Sequence, residues 1–432
     1  MVITATLFLF ISFFIMLLAG VPISAAIGIA SVVAACASGV TTLDGFAFTA
    51  AQKCFSGLDS FSLLALPYFS LGGNLMNKGG IAKRLVRLAR LLVGKLPGYL
   101  AATNVLANMF FGAVSGSSVA ATSAMGSILS PLELDEGYDP NYSAAVNICS
   151  APTGILIPPS GPLILYSITA GGVSIAALFM GGYFTGIVLG LCVAIVAMVL
   201  AVKLGYKQST VKDEDPAWKI LVDAIPSLLA VVIVMGGILG GIFTATEAGV
   251  VMCVYCLVLA LIYRELDFKT FYNLLADTMK SSATILFLIA ASSIMAYVMA
   301  RTGIPKAISD AIMGISDNRY VILLVMNIFL LVMGMFMDGA AAILIISPLI
   351  FKMSVGLGID PVHLCIIMIS NLAIGMYTPP FGMNLFVTSS VVKKDMVEML
   401  PGVWPFLAVN LLALLLITYC PGLVMLLPNM TA

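Results

Sequence analysis

"SAPTGILIPPSGP" at Ser150–Pro162 and "NLAIGMYTPPFGM" at Asn371–Met383 decide how this chain is read. Each contains Gly-x-x-x-Pro-Pro-x-Gly, and each lies inside a long apolar stretch. Proline removes a backbone donor and disrupts the turn before it, and glycine lets the chain reverse. Taken alone, each break reads either as a kink in a crossing helix or as a binding loop. Two breaks with one spacing, each preceded by a polar-tipped segment, favour the binding loop.

The 432 residues are 61% hydrophobic and 9% charged, with a mean hydropathy of +1.13. Soluble domains carry roughly a quarter charged residues, so this is an integral membrane protein, nearly all of it embedded. A net charge of zero gives no footprint for nucleic acid or for a polybasic membrane surface. One histidine and eight cysteines form no Cys/His cluster, and the cysteines read as small buried hydrophobes. The first apolar run, residues 2–19, lacks a basic n-region and reads as a retained helix.

A crossing helix needs about 20 apolar residues. Crossings fall near 2–19, 21–39 and 60–77, followed by the basic amphipathic "IAKRLVRLARLLVGK". Residues 97–131 hold "GAVSGSSVAATS", too polar for lipid. Helix packing through small residues and the tip of a re-entrant hairpin both fit it. A broken crossing near 142–170 and one near 175–203 complete the first half. After the polar "KLGYKQSTVKDEDPAWK", crossings lie near 222–242, 246–263 and 281–300. A second hairpin over about 320–351 with "GMFMDGAA" at its centre, a broken crossing near 361–390 and a last crossing near 403–427 follow.

The halves repeat in register. Gly-x-Asp-Pro occurs at Gly137–Pro140 and Gly358–Pro361, and nineteen positions separate each Asp from the first proline of its Pro-Pro pair. Ser130-Pro131 and Ser347-Pro348 close the hairpins. Five crossings per half is an odd number, so the repeats are inverted, a plan common among secondary transporters. With the N-terminus outside, fifteen Lys and Arg fall inside. Lys53, Arg301, Lys306, Arg319 and Lys352 fall outside. The positive-inside rule prefers this orientation, so the first hairpin enters from the cytoplasm.

Breaking a helix frees carbonyls for a hard cation and N–H groups for an anion. Asp338, apolar on both sides, reads as a buried functional carboxylate or as a helix cap. Glu247 reads as a capping residue, His363 as a surface or capping histidine, and the Trp and Tyr residues as interfacial anchors.

"GGIFTATEAG", "FMDGAAAILIISPL" and "IDPVHLCIIMISNLAIGMYTPPFGMNLFV" resemble the large membrane subunit of tripartite ATP-independent periplasmic (TRAP) transporters, as do "SGSSVAATSAMGSI" and "PPSGPLILYS". The likeness covers nearly the whole chain, in outline closest to the sialic-acid branch. Alanine stands in "FTATEAG" where the family pattern has proline. The resemblance implies an all-α polytopic membrane protein of a sodium-coupled elevator superfamily in a Gram-negative inner membrane. It implies a periplasmic substrate-binding protein, an anionic carboxylated substrate and a small four-helix membrane subunit on a separate polypeptide. It implies no cofactor beyond sodium as the coupling ion. Carried over by position, sodium ligands are Ser115, Gly116, Ser117, Thr153 and Gly154 in the first half. Gly334, Asp338, Gly375 and Thr378 are those of the second. Substrate contacts are Ser118, Ser160 and Asn384, and Pro158, Pro159, Pro379 and Pro380 make the breaks. Scaffold segments are expected at 1–96, 175–280 and 391–432, and transport-domain segments at 97–174 and 281–390.

The function expected is sodium-coupled uptake by alternating access, against a stand-alone ion-coupled carrier of the same architecture. An enzyme is not expected. An aspartyl protease needs two facing carboxylates, a metalloprotease needs His-Glu-x-x-His, and the serines here have no basic partner.

Overall fold

The computed structural model describes residues 2–39, 43–206, 215–314 and 318–431, and among these every regular element is helical. Lys207 and Lys212, counted on the inner side above, lie outside the described residues.

The first half runs α1 (Val2–Leu18), α2 (Ile23–Ala37), α3 (Leu43–Leu58), α4 (Ala65–Lys78) and α5 (Ile81–Val93). It continues with α6 (Tyr99–Ser115), α7 (Ser118–Asp135), α8 (Pro140–Ser150), α9 (Gly161–Thr169) and α10 (Ile175–Lys203). The second half runs α11 (Ala217–Leu239), α12 (Ala245–Ile262), α13 (Phe268–Thr302), α14 (Ile304–Met313) and α15 (Arg319–Phe336). It continues with α16 (Gly339–Gly356), α17 (Pro361–Gly375), α18 (Met383–Val392) and α19 (Met396–Tyr419), before the short α20 (Pro421–Val424) and α21 (Leu426–Thr431). Hairpin 1 is α6–α7, hairpin 2 is α15–α16, and the broken crossings are α8–α9 and α17–α18.

The Gly-x-Asp-Pro repeat is a helix start. Gly137 and Gly358 turn the chain at φ of 79° and 65°, a region that favours glycine. The Asp139 carboxylate then accepts from Asn141 N and Tyr142 N, both at 2.9 Å. Asp360 accepts from Val362 N at 2.7 Å and His363 N at 3.3 Å. Each proline stands at the first helical position, where no donor is lost.

Several expectations change. Residues 43–58 form a helix that the crossing pattern passed over, because its sequence carries Thr49, Gln52, Lys53 and Ser56 among the apolar residues. This helix meets the 61–78 segment at a 64° bend. Its repeat counterpart, α13, is one continuous helix of 35 residues. The last crossing starts at Met396, capped by Asp395, although Pro401 and Pro405 lie within it. His363 is buried rather than on the surface, its Nε2 2.9 Å from the Ile417 carbonyl. Tyr99, Tyr166 and Tyr377 are core residues rather than interfacial anchors. Glu247 completes a capping box with Thr244, whose N–H it accepts at 2.8 Å. Cys253 and Cys256 stand at Cys-x-x-Cys spacing on α12, which the scattered reading missed; both are buried and free.

The two halves pack by exchange. α4 lies on α12, and its counterpart α13 on α2; α5 lies on α11, and α14 on α1. In the inner group, α18 packs on hairpin 1 through α7, and α9 packs on hairpin 2 through α16. α8 lies on α19 and α17 on α10. Thus α10 and α19, expected in the scaffold, pack on α6, α8 and α17 and belong with the hairpins. α1–α5 and α11–α14 form the outer group, so residues 281–313, expected with the transport segments, pack on α1–α4. The basic arm α5 is fastened to the start of α11 by Arg87 to Asp215 at 2.6 Å.

Candidate functional site

Each hairpin tip is a helix end followed at once by a helix start. α6 stops at Gly116, with a φ of 61°, and Ser117 caps α7 by accepting from Ala120 N at 3.3 Å. In hairpin 2, Met337 is extended and Asp338 Oδ2 accepts from Ala340 N at 3.0 Å. Asp338 is therefore a cap, as one reading of the sequence had it, and it also faces the cavity described below.

The breaks differ in detail. In the first, α8 passes into a 3-10 turn over Ala151–Ile155. Thr153 Oγ1 donates to Ser150 O at 2.6 Å. Ser160 caps α9 through Leu163 N at 3.4 Å, and its hydroxyl donates to Ile155 O. In the second, Thr378 Oγ1 donates to Ile374 O at 2.7 Å, and Asn384 N donates to Met376 O at 2.9 Å. The peptide bonds Pro158–Pro159 and Pro379–Pro380 are both cis.

Hairpin and break touch backbone to backbone in both halves. A methyl group added at Gly154 would lie 2.5 Å from Gly112 Cα, and one at Gly375 would lie 2.6 Å from Gly334 Cα. This pairing of glycines explains the first residue of each Gly-x-x-x-Pro-Pro-x-Gly. Only a residue without a side chain lets the first hairpin arm approach so closely.

Between the inner and outer groups lies a cavity of about 370 Å³. Its inner wall is the hairpin 1 tip from Ser115 to Ala120, the hairpin 2 tip from Asp338 to Ala340, and Ile155, Pro159, Gly161, Pro162 and Met376 from the breaks. Its outer wall is α4, with Ser70, Gly73, Asn74 and Asn77, and α13, with Ser281 and Ile285. The N-termini of α7, α9 and α16 all open onto it, and among the described residues no Lys or Arg lines it. Three partial positive charges therefore face one space.

Of the residues named from sequence, Ser115, Gly116, Ser117, Ser118, Asp338 and Pro159 line the cavity. Thr153, Gly154, Gly334, Gly375 and Thr378 lie behind its wall, where arms and breaks meet. Ser160 and Asn384 are fully buried. Asn384 Nδ2 donates to Ser118 Oγ at 2.6 Å, so the second break holds the first tip. Pro158 is buried beside Pro159, while Pro379 is half-buried and Pro380 exposed. The outer wall went unnoticed in the sequence, although Ser70, Gly73, Asn74 and Asn77 keep the i, i+3, i+4, i+7 spacing of one helix face.

The family model described as tripartite ATP-independent periplasmic transporter, DctM component, matches residues 10–423. The chain is 44% identical over 424 residues to the uncharacterized protein YgiK of Salmonella typhimurium, covering 98% of this chain and 97% of that one. It is 34% identical to the C4-dicarboxylate TRAP transporter large permease protein DctM of Rhodobacter capsulatus, over 96% of this chain and 97% of that one. It is also 34% identical to the sialic acid TRAP transporter large permease protein SiaM of Vibrio cholerae, over 88% and 89%. The crystal structure of the Alcanivorax borkumensis YdaH transporter shares the fold. Its TM-score is 0.63 at 15% identity, over 89% of this chain and 90% of that one. With its inverted repeats, paired hairpins and broken crossings, this chain belongs to the DctM-component family of TRAP transporters, an integral inner-membrane transport subunit and not an enzyme.

Proposed function

We propose that this chain carries out sodium-coupled secondary uptake of a carboxylated metabolite that a periplasmic substrate-binding protein delivers. A small four-helix membrane subunit completes the transporter, and no cofactor takes part. The observation that carries this reading is the cavity into which three helix N-termini open with no lining cation among the described residues. Such a space suits a small anion, since helix N-termini stabilise negative charge without a basic side chain.

The same cavity explains why a cation is needed. Asp338 lines it, and an anionic substrate beside a carboxylate in low dielectric is repelled. Sodium bound at the tips and breaks removes that repulsion and orders the site. The substrate then binds well only to the sodium-loaded state, which is what coupling requires. The hairpin 2 ligands are Gly334, Asp338, Gly375 and Thr378, and those of hairpin 1 are Ser115, Gly116, Ser117, Thr153 and Gly154. Ser118, Ser160 and Asn384 position the substrate, Ser160 and Asn384 from behind the wall. The inner group, α6–α10 with α15–α19, moves as one body against the outer group and carries the cavity across the membrane, an elevator.

Among carboxylates, the C4-dicarboxylate relatives stand at 34% and 37% identity and the sialic acid relative at 34%. Sialic acid is thus one substrate to assay beside the dicarboxylates. The test is uptake into proteoliposomes holding this chain, the small subunit and the binding protein. Uptake that follows an inward sodium gradient, and that D338N abolishes, supports the reading. Uptake unchanged when potassium replaces sodium rejects the coupling.

A further inference from the structure

The first repeat contains a buried polar ladder built on a carboxyl, and the second repeat has no buried carboxyl at the matching position. Glu133, on the return arm of hairpin 1, is 0% exposed. Asn104 Nδ2 donates to its Oε1 at 3.1 Å, and the Ser143 hydroxyl contacts its Oε2. Asn108 Nδ2 then lies 2.7 Å from Asn104 Oδ1, 3.0 Å from Asn147 Oδ1 and 2.9 Å from Ser150 Oγ. Asn147 Nδ2 donates to Thr122 O at 2.9 Å. The ladder thus joins both arms of hairpin 1 to α8 and ends at Ser150, where the break begins.

The repeat supplies a control within the same molecule. Matching Gly112 with Gly334, Asp139 with Asp360 and Ser130 with Ser347 sets the register. In that register Asn104, Asn108, Glu133, Ser143 and Asn147 correspond to Met326, Leu330, Ile350, Leu364 and Met368. All five counterparts are buried. Ser150 alone keeps a polar counterpart, Asn371, which donates to Asn327 Oδ1 at 2.5 Å; the positions of the carboxyl and its amide partners pack with apolar side chains. Replacing buried polar clusters by apolar residues is often neutral or stabilising, so the fold gives no reason for a carboxyl here.

Among the described residues the groups that act on Glu133 are Ser143 and Asn104, both neutral. The titratable groups that face it are Tyr138 and Tyr142. On α6, Tyr99 bonds Glu136 instead. On α8, Asp139 caps its own helix. Beyond α18, Lys394 donates to Asn141 Oδ1 at 3.2 Å. A buried carboxylate with only neutral partners is costly, whereas a protonated carboxyl satisfied by an amide and a hydroxyl is not. We propose that Glu133 is a proton-binding site, its carboxyl holding one proton while α7 is docked on α6 and α8. The proton is exchanged with cytoplasmic water. Residues 134–137 directly after Glu133 are exposed, and the cover is a tyrosine stack in which the Tyr138 and Tyr206 rings lie 4.1 Å apart. Undocking α7 wets the carboxyl and releases the proton, so cytoplasmic pH biases how firmly hairpin 1 is held.

This inference does not depend on sodium coupling, and its test needs no substrate. Glu133 is the one glutamate buried among the described residues. Infrared spectra of the full chain in nanodiscs, with 13C-labelled glutamate, separate it from Asp338. At neutral pH the expected result is a protonated-carboxyl band that moves with the glutamate label and vanishes in E133Q. Amide hydrogen exchange over α7 and α8, corrected for intrinsic rates, should lose protection in the wild type as rising pH removes that band. In E133Q the protection should be flat with pH. If E133Q fails to fold, the labelled wild-type spectrum decides alone. Only ionised glutamate at neutral pH, or a band that survives in E133Q, overturns the site. A band lost without any change in protection overturns its link to hairpin docking.

Discussion

Gly112 faces Gly154, and Gly334 faces Gly375, at distances that leave no room for a methyl group. Alanine at Gly154 or Gly375 should cost about 1–3 kcal/mol through overpacking, read as a lower denaturation temperature in detergent with loss of uptake. Alanine at Gly236, which has open space around its missing Cβ on α11, should be neutral or mildly stabilising, because glycine is a poor helix residue. Equal effects at all three positions would contradict the close-approach account. The spacing of Gly154 and Gly375 was legible, because glycine and proline are local signals. Of their partners, Gly334 was named only through the family resemblance and Gly112 not at all, because each lies on another helix and is one glycine among many. Asp338 was visible for the opposite reason. A carboxylate in an apolar run stands out at any distance from its partners.

Helix starts in this protein are set by single side chains. D139A and D360A each remove an acceptor from two backbone donors. Each should cost about 0.5–2 kcal/mol, measured by thermal unfolding, with the break that follows loosened in hydrogen exchange. The arm α5 is held differently. Lys219 first, then Arg87, keep the Asp215 carboxyl below the usual carboxylate range. The contact is therefore present above that range and is lost only as pH falls through the lowered value. Hydrogen exchange in α5 should rise only in strong acid, and D215N should abolish that pH step. At neutral pH D215N should change little, since exposed ion pairs contribute little. Legibility at this scale followed polarity. The bent α3–α4 pair was half missed because α3 has too many polar residues to read as a crossing. His363 was misplaced because a histidine after Asp-Pro looks like a helix-start surface residue, yet the Ile417 carbonyl receives it inside.

Across the whole molecule, the cavity reaches from the tips down α4 to Asn77, next to Lys78 at the helix end. With the N-terminus outside, that end is cytoplasmic. A cysteine placed at Asn77, in a chain freed of the exposed Cys36 and Cys420, should react with an impermeant thiol reagent from the cytoplasmic side. Reaction only from the periplasmic side would invert the topology. The duplication and the two breaks were determined by the sequence itself, and the orientation that the cysteine test checks is likewise a reading of sequence alone. Hydropathy, basic-residue bias and proline–glycine punctuation are properties of short segments and need no partner. The tertiary structure alone decided that α10 and α19 join the hairpins, that the halves exchange partners, and that α4 walls the cavity. It also decided that one repeat buries a carboxyl, Glu133, where the other buries Ile350. These depend on which distant surfaces meet, and packing between segments leaves no periodic trace in either one.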